Sequence, residues 1–132
     1  MTRRFYSLLF TIVLFFSKNL PAQSQSEIQV ENIAVCTSID NREPNGTANE
    51  FNAEIGQLYC FTKLKSQSDA YSISHVWFYN NKQMTKIDLK VKAKSWRTWS
   101  AKTIIPAWTG DWRVEVQDSG GNVISKVNFR IN

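Results

Sequence analysis

The chain has 132 residues, 42% hydrophobic and 13% aromatic, with a formal net charge of +5 and two cysteines. Such a length leaves room for one small domain behind a leader and not for two. Arg3, Arg4 and Lys18 carry three of the five net charges, so the rest of the chain holds +2, which removes the main support for a nucleic-acid partner.

Residues 1–24 read as a cleaved signal peptide. Arg3 and Arg4 form a basic start, Phe5 to Phe16 is an apolar run of twelve residues interrupted only by Ser7 and Thr11, and a polar stretch rich in small residues follows to Ser26. The run is short for the ~20 residues of a spanning helix. Leu20-Pro21-Ala22 and Ala22-Gln23-Ser24 are both plausible cuts, and an uncleaved anchor is the alternative. No later run reaches spanning length, so no transmembrane segment is expected after cleavage, and the location expected is periplasmic or secreted.

Residues 27–132 form the expected domain. Ile28 to Ile39 is the first strand region, and its alternation slips phase near Glu31-Asn32, which predicts a bulge. Asp40 to Gly56 is dense in turn residues and reads as a loop. Thr47 and Glu50 in it have capping-box spacing, with Gly56 as a stop, which suggests one or two helical turns. Gln57 to Lys65 is apolar on both faces, as a central strand would be. Tyr71 to Tyr79 follows, and Asn80-Asn81-Lys82 closes a hairpin.

In Gln83 to Lys94, Ile87, Leu89, Val91 and Ala93 alternate with Asp88, Lys90, Lys92 and Lys94, giving one buried face and one wet basic face. Ser95 to Ile104, Asp111 to Asp118 and Val123 to Ile131 complete the set, with turns at Pro106 to Gly110 and at Asp118 to Asn122. About seven short strands with almost no helix predict an all-β fold, an antiparallel two-sheet sandwich of immunoglobulin-like type. A small barrel is the rival.

Several segments carry a resemblance: Val35-Cys36-Thr37, Asn41-Arg42-Glu43-Pro44, Leu58-Tyr59-Cys60-Phe61-Thr62, His75-Val76-Trp77, Trp96-Arg97-Thr98-Trp99-Ser100-Ala101-Lys102 and Gly110-Asp111-Trp112-Arg113-Val114-Glu115-Val116. In this order they resemble a bacterial family of unknown function found in exported or membrane-tethered proteins. The resemblance covers nearly all of the chain after the leader and implies a compact single domain. It brings no activity and transfers no catalytic residue.

Candidate residues each have a bland counterpart. Trp77, Trp96 and Trp112 suit the core. Trp99 has opposite strand parity to Trp96, and Trp108 lies in a turn, so Trp99 or Trp108 is a candidate anchor for a sugar ring or a partner's pocket, or else a cover for the sandwich end. Arg97 and Arg113 suit stacking on indoles or pairing with Glu115.

Charge divides along the chain. Lys82, Lys86, Lys90, Lys92, Lys94, Arg97 and Lys102 face only Asp88, whereas Glu27, Glu31, Asp40, Glu43, Glu50 and Glu54 face only Arg42. The candidate ligand-binding set is therefore Lys90, Lys92, Lys94, Arg97, Trp99 and Trp108. Its alternative is a solvated face, or lysines that block edge-to-edge pairing.

Cys36 and Cys60 lie on predicted neighbouring strands. A disulfide between them would close a loop of about 24 residues, worth roughly 3 kcal/mol, and two buried free thiols are equally compatible. His75, the single histidine, reads as a hydrogen-bonded core residue. No cluster has metal-ligand spacing and no nucleophile or phosphate-loop motif is present, so no catalytic residue, metal or cofactor is expected.

The leading expectation is a non-catalytic binding or accessory module of the bacterial cell envelope, its partner a glycan, a lipid head group or a protein. The alternatives are an enzyme using Glu43, Glu50 and Glu54 on envelope polymers, or a structural subunit that pairs through a sheet edge.

Overall fold

The computed structural model describes residues 27–132, so the expected leader lies outside the described residues. The described elements are all strands: β1 (Gln29–Cys36), β2 (Ser38–Asp40), β3 (Glu43–Asn45), β4 (Glu50–Phe51), β5 (Gln57–Lys65), β6 (Tyr71–Tyr79), β7 (Lys82–Val91), β8 (Ser95–Thr103), β9 (Gly110–Asp118) and β10 (Val123–Ile131). A three-stranded sheet, β1-β5-β8, packs on a five-stranded sheet, β4-β10-β9-β6-β7. Pairing is antiparallel except for the short β4–β10 contact. The result is the β-sandwich expected, with β5 central and the bulge near Glu31 present as a register shift between Val30 and Asn32.

The region read as one loop is more ordered than its composition implied. β2 and β3 form a small hairpin. Its turn residues Asn41 and Arg42 both have positive φ, 52° and 63°, as a two-residue turn with the twist of its strands requires. Gly46, at φ +71°, returns the chain over β1, where a Cβ would run into Thr37 Oγ1. The hairpin contacts β1 and β5 and lies across the outer side of the three-stranded sheet.

The helix suggested after Thr47 does not form. The backbone there is taken by strand β10, with Arg130 N donating to Asn49 O at 2.8 Å and Asn132 N donating to Phe51 O at 2.9 Å. Asn52 Oδ1 accepts from Glu54 N at 2.8 Å, a local turn that competes with helix. Phe51 instead buries its ring against Phe129, edge to face at 6.2 Å. β7 also stops at Val91, earlier than expected, because the chain leaves one sheet there to enter the other. Lys94 lies in the crossing, where its carbonyl accepts from Ser66 N at 2.8 Å.

The core has two apolar parts with a polar layer between them. One part gathers around Trp77, Leu58, Cys60, Trp112, Val114 and Phe129, and the other around Leu64, Ile73, Val91 and Val116. Thr62 on β5, His75 on β6 and Ser100 on β8 lie between them, all buried.

Their hydrogen bonds form one directed chain. Thr62 Oγ1 donates to Thr98 O at 3.2 Å, so its oxygen is left to accept from His75 Nε2, 3.2 Å away. His75 Nδ1 then accepts from Ser100 Oγ at 2.7 Å, and Ser100 Oγ accepts from Trp77 Nε1 at 3.1 Å. Every polar side-chain group of the layer is satisfied with the imidazole neutral and its proton on Nε2. Burial pushes the His75 pKa down to about 4. His75 is thus the hydrogen-bonded core residue its position suggested.

Cys36 and Cys60 do not form a disulfide; both are free and buried. The register explains this. Val35 lies opposite Cys60 and Cys36 opposite Tyr59, so the two thiols occupy opposite faces of the sheet. Burial raises both pKa values, which disfavours the reactive thiolate. A thiol-exchange reagent is expected to label neither cysteine in the folded domain and both in denaturant. Rapid labelling of the folded domain would show that this sheet opens.

Candidate functional site

β7 is one edge of the five-stranded sheet, β8 is one edge of the three-stranded sheet, and the short connection 92–94 joins the end of one to the start of the other. Between them and the β2–β3 hairpin lies a cleft of about 390 Å³. Lys90 and Lys92 line it from the β7 side, Trp96, Arg97 and Trp99 from β8, and Arg42 from the hairpin turn.

Strand parity sorts the two indoles. Trp96 packs inward against the Leu64 and Ile73 cluster, while Trp99 lies opposite Phe61 in the register, on the other face. The Arg42 guanidinium sits 5.7 Å from the Trp96 ring centroid, within cation–π range. Its left-handed backbone costs a non-glycine residue about 1–2 kcal/mol.

The charge of the cleft is mostly unanswered. Among the described residues the ion pairs are Lys63–Glu31, Arg97–Glu43, Arg113–Glu115 and Arg130–Asp111. Arg42, Lys90 and Lys92 belong to none of them. The acid on β7, Asp88, accepts a 2.6 Å hydrogen bond from Ser74. Arg97 Nε is 2.8 Å from Glu43 Oε1, but its N–H is not aligned for a hydrogen bond. That half-exposed contact contributes little to stability.

The expected binding set is therefore split. Lys90, Lys92, Arg97 and Trp99 come together, whereas Lys94 and Trp108 do not line this cleft. Trp108 lies beyond the far end of β8. Its carbonyl accepts from Trp112 Nε1 at 3.0 Å, and Lys102 Nζ sits 4.9 Å over its ring, so it covers the end of the core.

Besides Thr98, Arg42 and Trp96 are the cleft residues that strand-by-strand reading missed. Neither carries a sequence signal for the site, since Arg42 arrives on an unanticipated hairpin. Glu43, Glu50 and Glu54 are all exposed. Glu43 faces Arg97, Glu50 is on β4 and Glu54 is in the following turn, and none of the described clefts gathers two of them. Among the described residues no group of His, Cys, Asp or Glu is placed to hold a metal, and no helix is long and apolar enough to cross a membrane.

Residues 70–131 match the model of a family described as a protein of unknown function (DUF2914). The match runs through β6 to β10 and includes Lys90, Lys92, Trp96, Arg97 and Trp99, but Arg42 lies before it. No curated protein matches the chain.

Among solved structures, the chain is similar to a β-glucosidase from Kluyveromyces marxianus at TM-score 0.47 and 9% identity, over 80% of this chain and 14% of that one. It is also similar to a Listeria innocua β-glucosidase in complex with glucose, at 0.45 and 12%, over 80% and 16%. A Bifidobacterium adolescentis GH3 β-glucosidase gives 0.45 and 8%, over 79% and 17%. The chain thus spans a small fraction of each enzyme, and likenesses this distant carry no activity across.

Proposed function

We propose that this chain is a non-catalytic binding module of the bacterial cell envelope, exported to the periplasm or beyond, that holds an anionic partner in the cleft between β7 and β8. One observation carries the reading: Arg42, Lys90 and Lys92 surround two indoles and have no acidic partner among the described residues. Unanswered cations attract an anion, and the Trp99 ring beside them gives it an apolar surface to lie against. β7 is also a sheet edge, where lysines block pairing with another chain. The same side chains serve both ends, and that position disfavours a structural subunit joined through β7.

The test is retention of residues 25–132 on envelope glycan and lipid fractions. Retention is expected at about 0.1 M salt and is expected to vanish near 1 M, as the Debye length falls from about 10 Å to about 3 Å. The Lys90→Gln/Lys92→Gln variant should fail to bind at either salt. Retention that is indifferent both to salt and to these substitutions would rule the cleft out.

A further inference from the structure

The outer face of the five-stranded sheet holds a second, chemically different groove. Its volume is about 530 Å³, within the usual range of small-ligand sites, ~300–1,000 Å³. An antiparallel sheet commonly leaves its outer face to water. Here two charged residues of β9 are shielded instead: the Arg113 side chain is 24% exposed and that of Glu115 13%.

Arg113 is held on three sides. Its guanidinium carbon lies 3.9 Å from the Phe78 ring centroid. Its Nε donates to Glu115 Oε2 at 2.9 Å, and its Nη1 donates to Asn81 Oδ1 at 2.7 Å. Glu115 is steadied in turn by Gln117 Nε2, which donates to its Oε1 at 3.1 Å. The ordering cost of this side chain is met before any ligand arrives. A guanidinium has five N–H donors; two are engaged, and the others remain for a ligand. Asn128 and Lys126 complete the lining from β10, and neither makes a side-chain hydrogen bond within the described chain.

The charges nearly cancel. Arg113 is answered by Glu115, and Asp111 by Arg130 at 2.8 Å, so Lys126 is the one unanswered charge among the lining residues. The groove thus offers many hydrogen-bond donors, amide groups and a flat guanidinium with little net charge. An extended peptide has no edge to join, because β9 is paired by β6 on one side and β10 on the other. A polyanion would find stronger attraction in the β7–β8 cleft.

We infer that the groove around Arg113 binds a neutral oligosaccharide, whose hydroxyl and ring oxygens accept from Arg113, Asn81 and Asn128. This site shares no lining residue with the β7–β8 cleft and stands whether or not the anionic reading does.

Isotope-labelled protein of residues 25–132, which carries every described element, would be titrated with cellohexaose, maltohexaose and chitohexaose and followed by NMR. At least one sugar should shift the Arg113 Nε–H and the amides of Arg113, Glu115 and Asn128, equally at low salt and near 1 M. Asn128→Ala should weaken that binding about three- to ten-fold, the worth of one hydrogen bond. Asn128 is exposed, so that variant is expected to fold. Arg113→Lys should weaken binding further, its fold checked by the spread of its amide resonances.

The inference is overturned if none of the three sugars moves these resonances at millimolar concentration. It is also overturned if salt abolishes the shifts, or if the shifts fall on Lys90, Trp96 and Trp99 instead.

Discussion

Replacing Trp77 with alanine is expected to cost about 3–5 kcal/mol of stability, as truncation of a buried large aromatic does. The side chain is fully buried and meets Phe129 edge to face at 6.1 Å. Its indole N–H also supplies the bond that Ser100 Oγ accepts, so truncation opens a cavity and leaves a buried oxygen short of a donor. Against a typical total of ~5–15 kcal/mol, that places the variant close to unfolding. Trp77→Phe should cost distinctly less, because it keeps most of the packing while losing the N–H. Urea denaturation reads both: the midpoint should fall with little change in slope. A loss under about 1 kcal/mol for the alanine variant would mean that the two sheets do not close on Trp77.

The second large effect is acid sensitivity from a single residue. Folding lowers the His75 pKa from 6.5 to about 4. Between those values the unfolded chain binds a proton that the folded chain refuses. Stability is therefore complete above pH 6.5, falls as the pH drops towards 4, and stops falling from this source below 4, where both states are protonated. The accumulated loss is about 3 kcal/mol.

The cause is local. Nδ1 already accepts from Ser100 Oγ, so a proton on it displaces that bond and puts a charge inside the sandwich. His75 is the sole histidine of the chain, which makes the slope assignable. The carboxylate of Asp118, whose pKa is lowered from 3.8 chiefly by the Asn122 backbone amide, acts in a lower window. Chemical denaturation at a series of pH values should show the slope between 6.5 and 4 in the native sequence and not in His75→Gln, which starts from a lower stability. A flat profile for the native sequence would mean that His75 is not held neutral in the core.

Much of this fold is legible strand by strand. Gln57–Lys65, Tyr71–Tyr79 and Val123–Ile131 occur with the bounds their alternation and flanking turns suggest. The turn at Asn80-Asn81 has the positive φ values, 46° and 64°, that such a pair tolerates. The β2–β3 hairpin was hidden because its turn is Asn41-Arg42 and lacks the glycine that marks such turns. The segment after Thr47 has the local marks of a helix start, and only pairing with the distant β10 overrides them.

The site divides in the same way. Alternation placed Lys90 and Lys92 on an exposed face and set Trp99 apart from Trp96. It could not show that the end of β7 and the start of β8 would line one cleft, nor that a hairpin some fifty residues earlier in the chain would bring Arg42 to them. Alternation alone extends the basic face to Lys94, and a turn position alone suggests an exposed Trp108; the crossing between sheets and the end of β8 carry them elsewhere. The Thr62–His75–Ser100 layer is likewise a product of packing between sheets, with only His75 conspicuous in advance.

Arg42 offers the most direct test of the anionic cleft. Glycine is the residue its left-handed backbone favours, and relief of that strain offsets the loss of a cation–π contact worth about 0.5–1 kcal/mol. The measurement is the affinity of Arg42→Gly for the envelope fraction that retains the native domain, beside the melting temperature of each. The cleft reading predicts weaker binding at about 0.1 M salt with a melting temperature unchanged or raised. Undiminished affinity in a stably folded Arg42→Gly would contradict it.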